Sequence, residues 1–311
     1  MPDVRPPGDV LRDQARREAE AARERAFAAL TSGDLDTSLV AYDESLSCAR
    51  RTGDDAFVDW IYACRAAAVA EASPAGDELV ELKRILLRGR DAQTAFRAAY
   101  TAARVYELRR DYRKALFYNR IARQHADELE DGLLAVGCAN QGATLLVVDS
   151  RFDEAAEAYR RALELAGTEP RVPELYRALL KDNLGYCLIA SDRVPDGLSL
   201  VHEALGTIEG LGARSQTVFP LLDLCFGYLK ANRFEEARYF GEEGLDRCAG
   251  CNDPTVEKNL LYLLGEACHL SGDASAAEGY FDRLASLYPE FRNLRAYLDV
   301  FDFRNVINLR S

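Results

Sequence analysis

The sequence predicts an all-α fold, a tandem stack of about seven antiparallel helix pairs closed by a C-terminal capping helix. Three observations predict it. A short phrase recurs along the chain, a column of small residues precedes it at a constant distance, and apolar residues in between repeat every three or four positions. Nothing reads as a strand before the last ten residues.

The phrase is a turn, then an aliphatic or aromatic residue, then a small residue three positions later. It reads Gly33-Asp34-Leu35 with Ser38, Asp111-Tyr112 with Ala115, Arg151-Phe152 with Ala155, and Arg193-Val194 with Gly197. It returns as Arg233-Phe234 with Ala237 and Gly272-Asp273-Ala274 with Ala277. From Tyr112 the landmarks are spaced by 40, 42, 40 and 40 residues, and the gap of 77 from Leu35 to Tyr112 leaves room for one degenerate unit.

Nine residues before each landmark stands a small residue: Ala26, Ala103, Ala143, Gly185, Cys225 and Gly265, with Cys64 assigned in the degenerate unit. Small side chains let two helix backbones approach, so this column marks where the helices of a pair cross. A second small column holds Ser45, Ala122, Ala162, Ala204 and Gly244, from which the seventh unit departs with Leu284.

Between landmarks the stripes are helical. Leu180, Leu184, Cys187 and Leu188 form one; Phe152, Ala155, Ala156, Tyr159, Ala162 and Leu163 form another. Ala, Leu, Arg and Glu dominate, all good helix formers. The second helix of unit two spans residues 78–87, and Ser73-Pro74-Ala75-Gly76 breaks the chain before it. At the end, Leu294, Tyr297, Leu298 and Phe301 make a stripe for a capping helix over the last repeat. The expected organisation is a disordered N-terminal tail over residues 1–10, a repeat array over 11–289, and a capping helix with an apolar tail over 290–311.

Composition excludes several function classes. Of 311 residues, 48% are hydrophobic and 29% charged, which fits a folded chain. The net charge of −12 disfavours nucleic acid and anionic membrane surfaces as partners. No apolar run approaches the ~20 residues of a spanning helix. Met-Pro-Asp-Val-Arg-Pro-Pro-Gly lacks the apolar core of a secretory signal, so a cytoplasmic protein with reduced thiols is expected.

The columns resemble the tetratricopeptide repeat family. Its pattern is met by Leu184-Gly185 with Leu188, Leu264-Gly265 with Cys268, Ala155 with Tyr159 and Ala162, and Ala277 with Phe281 and Pro289; Trp60 stands at its Trp position. The resemblance covers residues 15–289, and its period of 40–42 is similar to the longer-helix members found in kinesin light chains and bacterial peptide-binding regulators. It implies a right-handed superhelical solenoid whose first helices line a concave groove.

In that family the positions three before and one after the crossing residue face the groove. Carried over, they give Tyr100 and Arg104 with Arg97 one turn earlier, then Asn140 and Thr144, Asp182 and Tyr186, Leu222 and Phe226, and Tyr262 and Glu266. The groove so built is basic at one end and aromatic beyond. It implies a non-catalytic bacterial scaffold or adaptor that binds a peptide segment of a partner protein and uses no cofactor. The competing readings are a sensory regulator that changes curvature around a small signalling peptide, and, for the aromatics, plain packing against the next helix. Lys is absent from these positions, which argues against the family's chaperone-tail clamp.

Other constellations are weak. Cys248-Ala-Gly-Cys251 reads as an inter-repeat turn, with a thiol redox enzyme or half a metal site as the alternative. Cys268 and His269 stand about 20 Å farther along a helix at ~1.5 Å per residue. His125, His202 and His269 are scattered, and no phosphate-binding glycine loop occurs. Residues 302–311 have two expected fates, folding back on the capping helix or serving as a docking strip.

Overall fold

The computed structural model describes residues 7–73, 75–248, 254–298 and 300–310. Among them all regular structure is helical and no strand forms. Seven helix pairs follow one another: α1 (Pro7–Thr31) and α2 (Leu35–Thr52), α3 (Asp55–Ala72) and α4 (Glu78–Arg88), α5 (Ala92–Leu108) and α6 (Tyr112–Glu128), α7 (Gly132–Val148) and α8 (Phe152–Thr168), α9 (Glu174–Ala190) and α10 (Val194–Gly210), α11 (Val218–Lys230) and α12 (Phe234–Cys248), and α13 (Pro254–Ser271) and α14 (Ala274–Leu287). The short α15 (Leu294–Leu298) comes last. Six of these first or second helices begin on a landmark of the repeat: Leu35, Tyr112, Phe152, Val194, Phe234 and Ala274 each open the second helix of a pair.

The turn before them is equally regular. Two residues ahead of each landmark the backbone is left-handed, at Gly33, Arg110, Ser150, Asp192, Asn232 and Gly272. This ends the first helix and redirects the chain into the second. Asp34, Asp111 and Asp273 then cap the new helix, each accepting the N–H three residues on.

The crossing column is buried throughout. At Gly185 an added Cβ would lie 2.5 Å from Val201 Cγ2 and 2.9 Å from the Gly197 carbonyl oxygen; at Gly265 it would lie 2.5 Å from the Phe281 ring. In the first pair the column is tied by hydroxyls: Ser38 donates to the Ala26 carbonyl at 2.9 Å and Ser45 to that of Ala19 at 2.7 Å.

The chain divides into two compact units, residues 1–141 and 142–311, with α7 spanning the division. In the first, Leu46, Ala49, Phe57 and Ile61 form one core cluster and Ala26, Tyr42, Cys64 and Ala68 another, with Trp60 against both. In the second, Leu180, Ile189, Leu221, Leu224, Leu229, Leu260 and Leu264 are shut off from solvent.

The ends differ from the sequence expectation. Residues 1–6 lie outside the described residues, but α1 already starts at Pro7, so residues 7–10 are helical rather than tail. Helix α15 is five residues long, and Tyr297 and Phe301 of its stripe are 60% and 55% exposed. The chain after it leaves α15 and returns to α9, α11 and α13.

Candidate functional site

The first helices of the last three pairs, α9, α11 and α13, lie side by side in the second unit. Their common side carries Asp182 and Tyr186 from α9, Phe219, Asp223 and Phe226 from α11, and Asn259, Tyr262 and Glu266 from α13. The C-terminal segment lies across it. Asn308 donates to the Val147 carbonyl at 2.8 Å and to Ser150 Oγ at 3.0 Å, and accepts from the Tyr186 hydroxyl at 3.0 Å. The same hydroxyl accepts from the Leu309 N–H at 3.0 Å, and Asn259 Nδ2 donates to the Leu309 carbonyl at 2.9 Å. Leu309 itself is buried. Arg304 is held upstream, donating to Asn232 Oδ1 at 2.7 Å and clamped to Asp302 at 2.7 Å.

Arg310 brings a charge into this face. Its guanidinium donates to Asp223 Oδ2 at 2.6 Å and lies 5.0 Å from the Tyr186 ring centre and 4.6 Å from that of Phe219. Asp182 and Asp223 are both buried. Burial pushes the Asp223 carboxyl up to about 6, while Arg310 pulls it back down. Asp182 is raised well above its ordinary value by burial and by the Asp223 charge beside it, against the pull of Arg310. Glu266 is likewise raised by burial, against its contact with Tyr262 and the charge of Arg304. An apolar setting thus makes this face a sink for positive charge.

The sequence-predicted site residues divide between the two units. Thr144, Tyr186, Phe226, Tyr262 and Glu266 belong to the second. Tyr186 and Phe226 are 1% exposed, with ring centres 6.1 Å apart, and Tyr186 is bonded to the tail, so neither is open. Thr144 is engaged by the Tyr159 hydroxyl at 3.0 Å. Arg97, Tyr100, Arg104 and Asn140 belong to the first unit. Arg104 is spent on Glu71 at 2.7 Å and Glu107 at 2.9 Å, so one of the two arginines of the expected basic end is neutralised by its own neighbours. Tyr100 stacks on Phe96 at 5.6 Å. Arg97 and Asn140 are half-buried on α5 and α7.

Sequence reasoning missed Phe219, Asp223, Asn259 and the whole contribution of 304–310. A signal existed for two of them. Phe219 and Asn259 each stand six residues before the crossing residue of their helix, the column used only for Arg97. Asp223 is a lone charge in Phe219-Pro-Leu-Leu-Asp-Leu-Cys-Phe226, an apolar run with no reason to bury a carboxylate unless something pairs with it.

The remaining candidates are less organised. A cleft in the first unit is lined by Asp55, Asp59, Glu81, Arg84, Arg88 and Arg90, whose charges are paired with one another. Cys251 lies outside the described residues, and Cys248 is buried. Burial pushes up the thiols of Cys64, Cys138, Cys187, Cys225 and Cys268, the reverse of an activated nucleophile. No described helix is long and apolar enough to cross a membrane.

No protein-family model matches the chain, and no characterised protein matches it in sequence. Solved structures do. The apo form of RapI superposes with a TM-score of 0.70 at 10% identity, covering 90% of this chain and 82% of that one. NprR in complex with its cognate peptide NprX gives 0.65 at 14%, covering 90% and 82%. A tetratricopeptide repeat protein from Parabacteroides merdae ATCC 43184 gives 0.57 at 12%, covering 91% and 99%. The chain therefore has the fold of the tetratricopeptide-like helical solenoids, all-α and built from tandem helix pairs.

Proposed function

We propose that this protein is a non-catalytic, cytoplasmic bacterial adaptor that binds an extended peptide segment of a partner protein across α9, α11 and α13. One observation carries the reading: both backbone groups of residue 309 are gripped by side chains of that face, its N–H by Tyr186 and its carbonyl by Asn259. Backbone contacts of this kind hold an extended chain of many sequences, while neighbouring pockets add preference. Tyr186 and Phe226 supply rigid aromatic area, and Glu266 and Tyr262 extend the face along α13. Arg97, Tyr100, Arg104 and Asn140 are not carried into this site. The net charge of −12 sets the protein against phosphate backbones and anionic headgroups, so neither nucleic acid nor membrane is a proposed partner.

A second reading, a sensory regulator responding to a small signalling peptide, is favoured by the fold it shares with NprR, whose solved structure holds a peptide. It adds one requirement, a ligand-dependent compaction visible by small-angle scattering.

The test is peptide display against the full chain carrying Arg310→Glu, which displaces the protein's own tail from this face, repeated with Tyr186→Phe and Asn259→Ala added. These changes remove the two groups that hold the peptide backbone and leave the aromatic ring in place. Selected peptides should bind the variant about thirtyfold more weakly, at ~1 kcal/mol for each of the two lost hydrogen bonds, with circular dichroism unchanged. Equal binding to both proteins would remove the assignment of this face.

A further inference from the structure

The α9–α11–α13 face already holds a ligand, the chain's own residues 308–310, and that ligand fits it incompletely. Burying a guanidinium costs desolvation free energy, and only good geometry repays it. Arg310 uses one N–H on one oxygen of Asp223. Its own Nε, Asp182 Oδ1 and Asp223 Oδ1 are all buried with no hydrogen-bond partner. Asp182 and Asp223 are 2% and 0% exposed, so unmet acceptor capacity is aimed at the space where a cation sits. Two carboxyl groups face one guanidinium, and one oxygen of each is left without a partner. The seat is also narrow. Leu309 is buried, whereas Val306, three residues earlier, is 63% exposed.

These features separate a receptor from a core. An apolar residue at position 310 would spare the desolvation, and a core has no use for a second carboxylate. An arginine whose planar fork bridged Asp182 and Asp223 would satisfy both acids while lying between Tyr186 and Phe219. A lysine would keep the charge and lose the stacking.

We propose that this face is a receptor for a cationic peptide bearing an arginine directly after an apolar residue, and that Leu309-Arg310 is its built-in competitor, expelled when such a peptide binds. The proposal rests on the peptide-binding reading above and names the ligand class for the same face. Because the tail is tethered, it competes at an effective concentration in the millimolar range, so an outside peptide succeeds only with better contacts than the tail makes. The unsatisfied acid oxygens are where those contacts are available.

The experiment uses full-length wild type and full-length Arg310→Glu, which sets a third carboxylate against Asp182 and Asp223 and drives the tail off. The probe is a fluorescent synthetic peptide with the sequence of residues 302–311; a second probe carries Ala in place of the arginine corresponding to Arg310. The arginine probe should bind Arg310→Glu at least about tenfold more tightly than wild type. The alanine probe should bind Arg310→Glu at least about tenfold more weakly than the arginine probe. Equal binding of the arginine probe to both proteins overturns the competitor role. Equal binding of both probes to Arg310→Glu overturns the arginine class while the peptide-binding reading stands. If neither probe nor any display-selected peptide binds a folded Arg310→Glu protein, that reading falls as well. Should Arg310→Glu lose helicity, Arg310→Ala decides by hydrogen exchange. Faster exchange at the Leu309 amide, with α9, α11 and α13 unchanged, supports a releasable tail. Loosening of those helices together with the tail makes it a structural strut and overturns the proposal.

Discussion

Asp182 and Asp223 sit where charge is most expensive, both shut off from solvent, and Asp223 on a helix otherwise apolar up to Lys230. Their consequence for stability has a definite sign. Asp223 titrates near 3.8 when exposed and at about 6 in the folded chain. Between these values the folded form holds a proton that the unfolded form has released, so this group's contribution to stability falls as pH rises through that window. Asp182 acts in the same sense, and Arg310, the cation beside them, opposes both. Asp223→Asn removes the titration and keeps an acceptor for Arg310. Relative to wild type, the variant should gain melting temperature as pH is raised from about 4.5 to about 7, as followed by thermal denaturation. A wild-type to variant difference that stays constant across that range would mean Asp223 is not held in its acid form.

At the scale of the helix pair, most of the fold is legible in the sequence, because packing leaves little choice there. Gly185 and Gly265 have no room for a Cβ, so the crossing column must be small, and a constraint repeated every 40 residues or so becomes visible as a pattern. Gly185→Ala should lower stability by about 1–3 kcal/mol in a denaturant titration, since the Gly197 carbonyl, unlike a side chain, has nowhere to turn. The turns make an opposite prediction. Arg110 is exposed and holds φ 58°, a conformation that disfavours any side chain with a Cβ. Arg110→Gly should stabilise the protein by about 0.5–1 kcal/mol, net of the extra freedom glycine gives the unfolded chain. The degenerate second pair and the short α15 are less legible. In the former the landmark turn is replaced by the break near Gly76, and in the latter an apolar stripe at the chain end does not ensure a long helix.

At the scale of the molecule, the candidate site was only half legible. Counting from the crossing residue finds Tyr186, Phe226, Tyr262 and Glu266, because a helix carries its own register. It cannot find what covers them. Tyr186 meets Asn308 and Leu309 from 122 and 123 residues away, and contacts at such separation leave no local periodicity. The same limit hid the true character of the face. The arginines expected to make it basic lie in the first unit, with Arg104 paired to Glu71 and Glu107, while the carboxylates that make the α9–α11–α13 face acidic stand one step off the expected column or were outweighed by their aromatic neighbours.

The most direct measurement is hydrogen–deuterium exchange of full-length Arg310→Glu with and without the 302–311 peptide. The account predicts new protection on α9, α11 and α13 and little change over residues 1–141. Protection confined to residues 1–141, or saturable binding that protects none of those three helices, would contradict it.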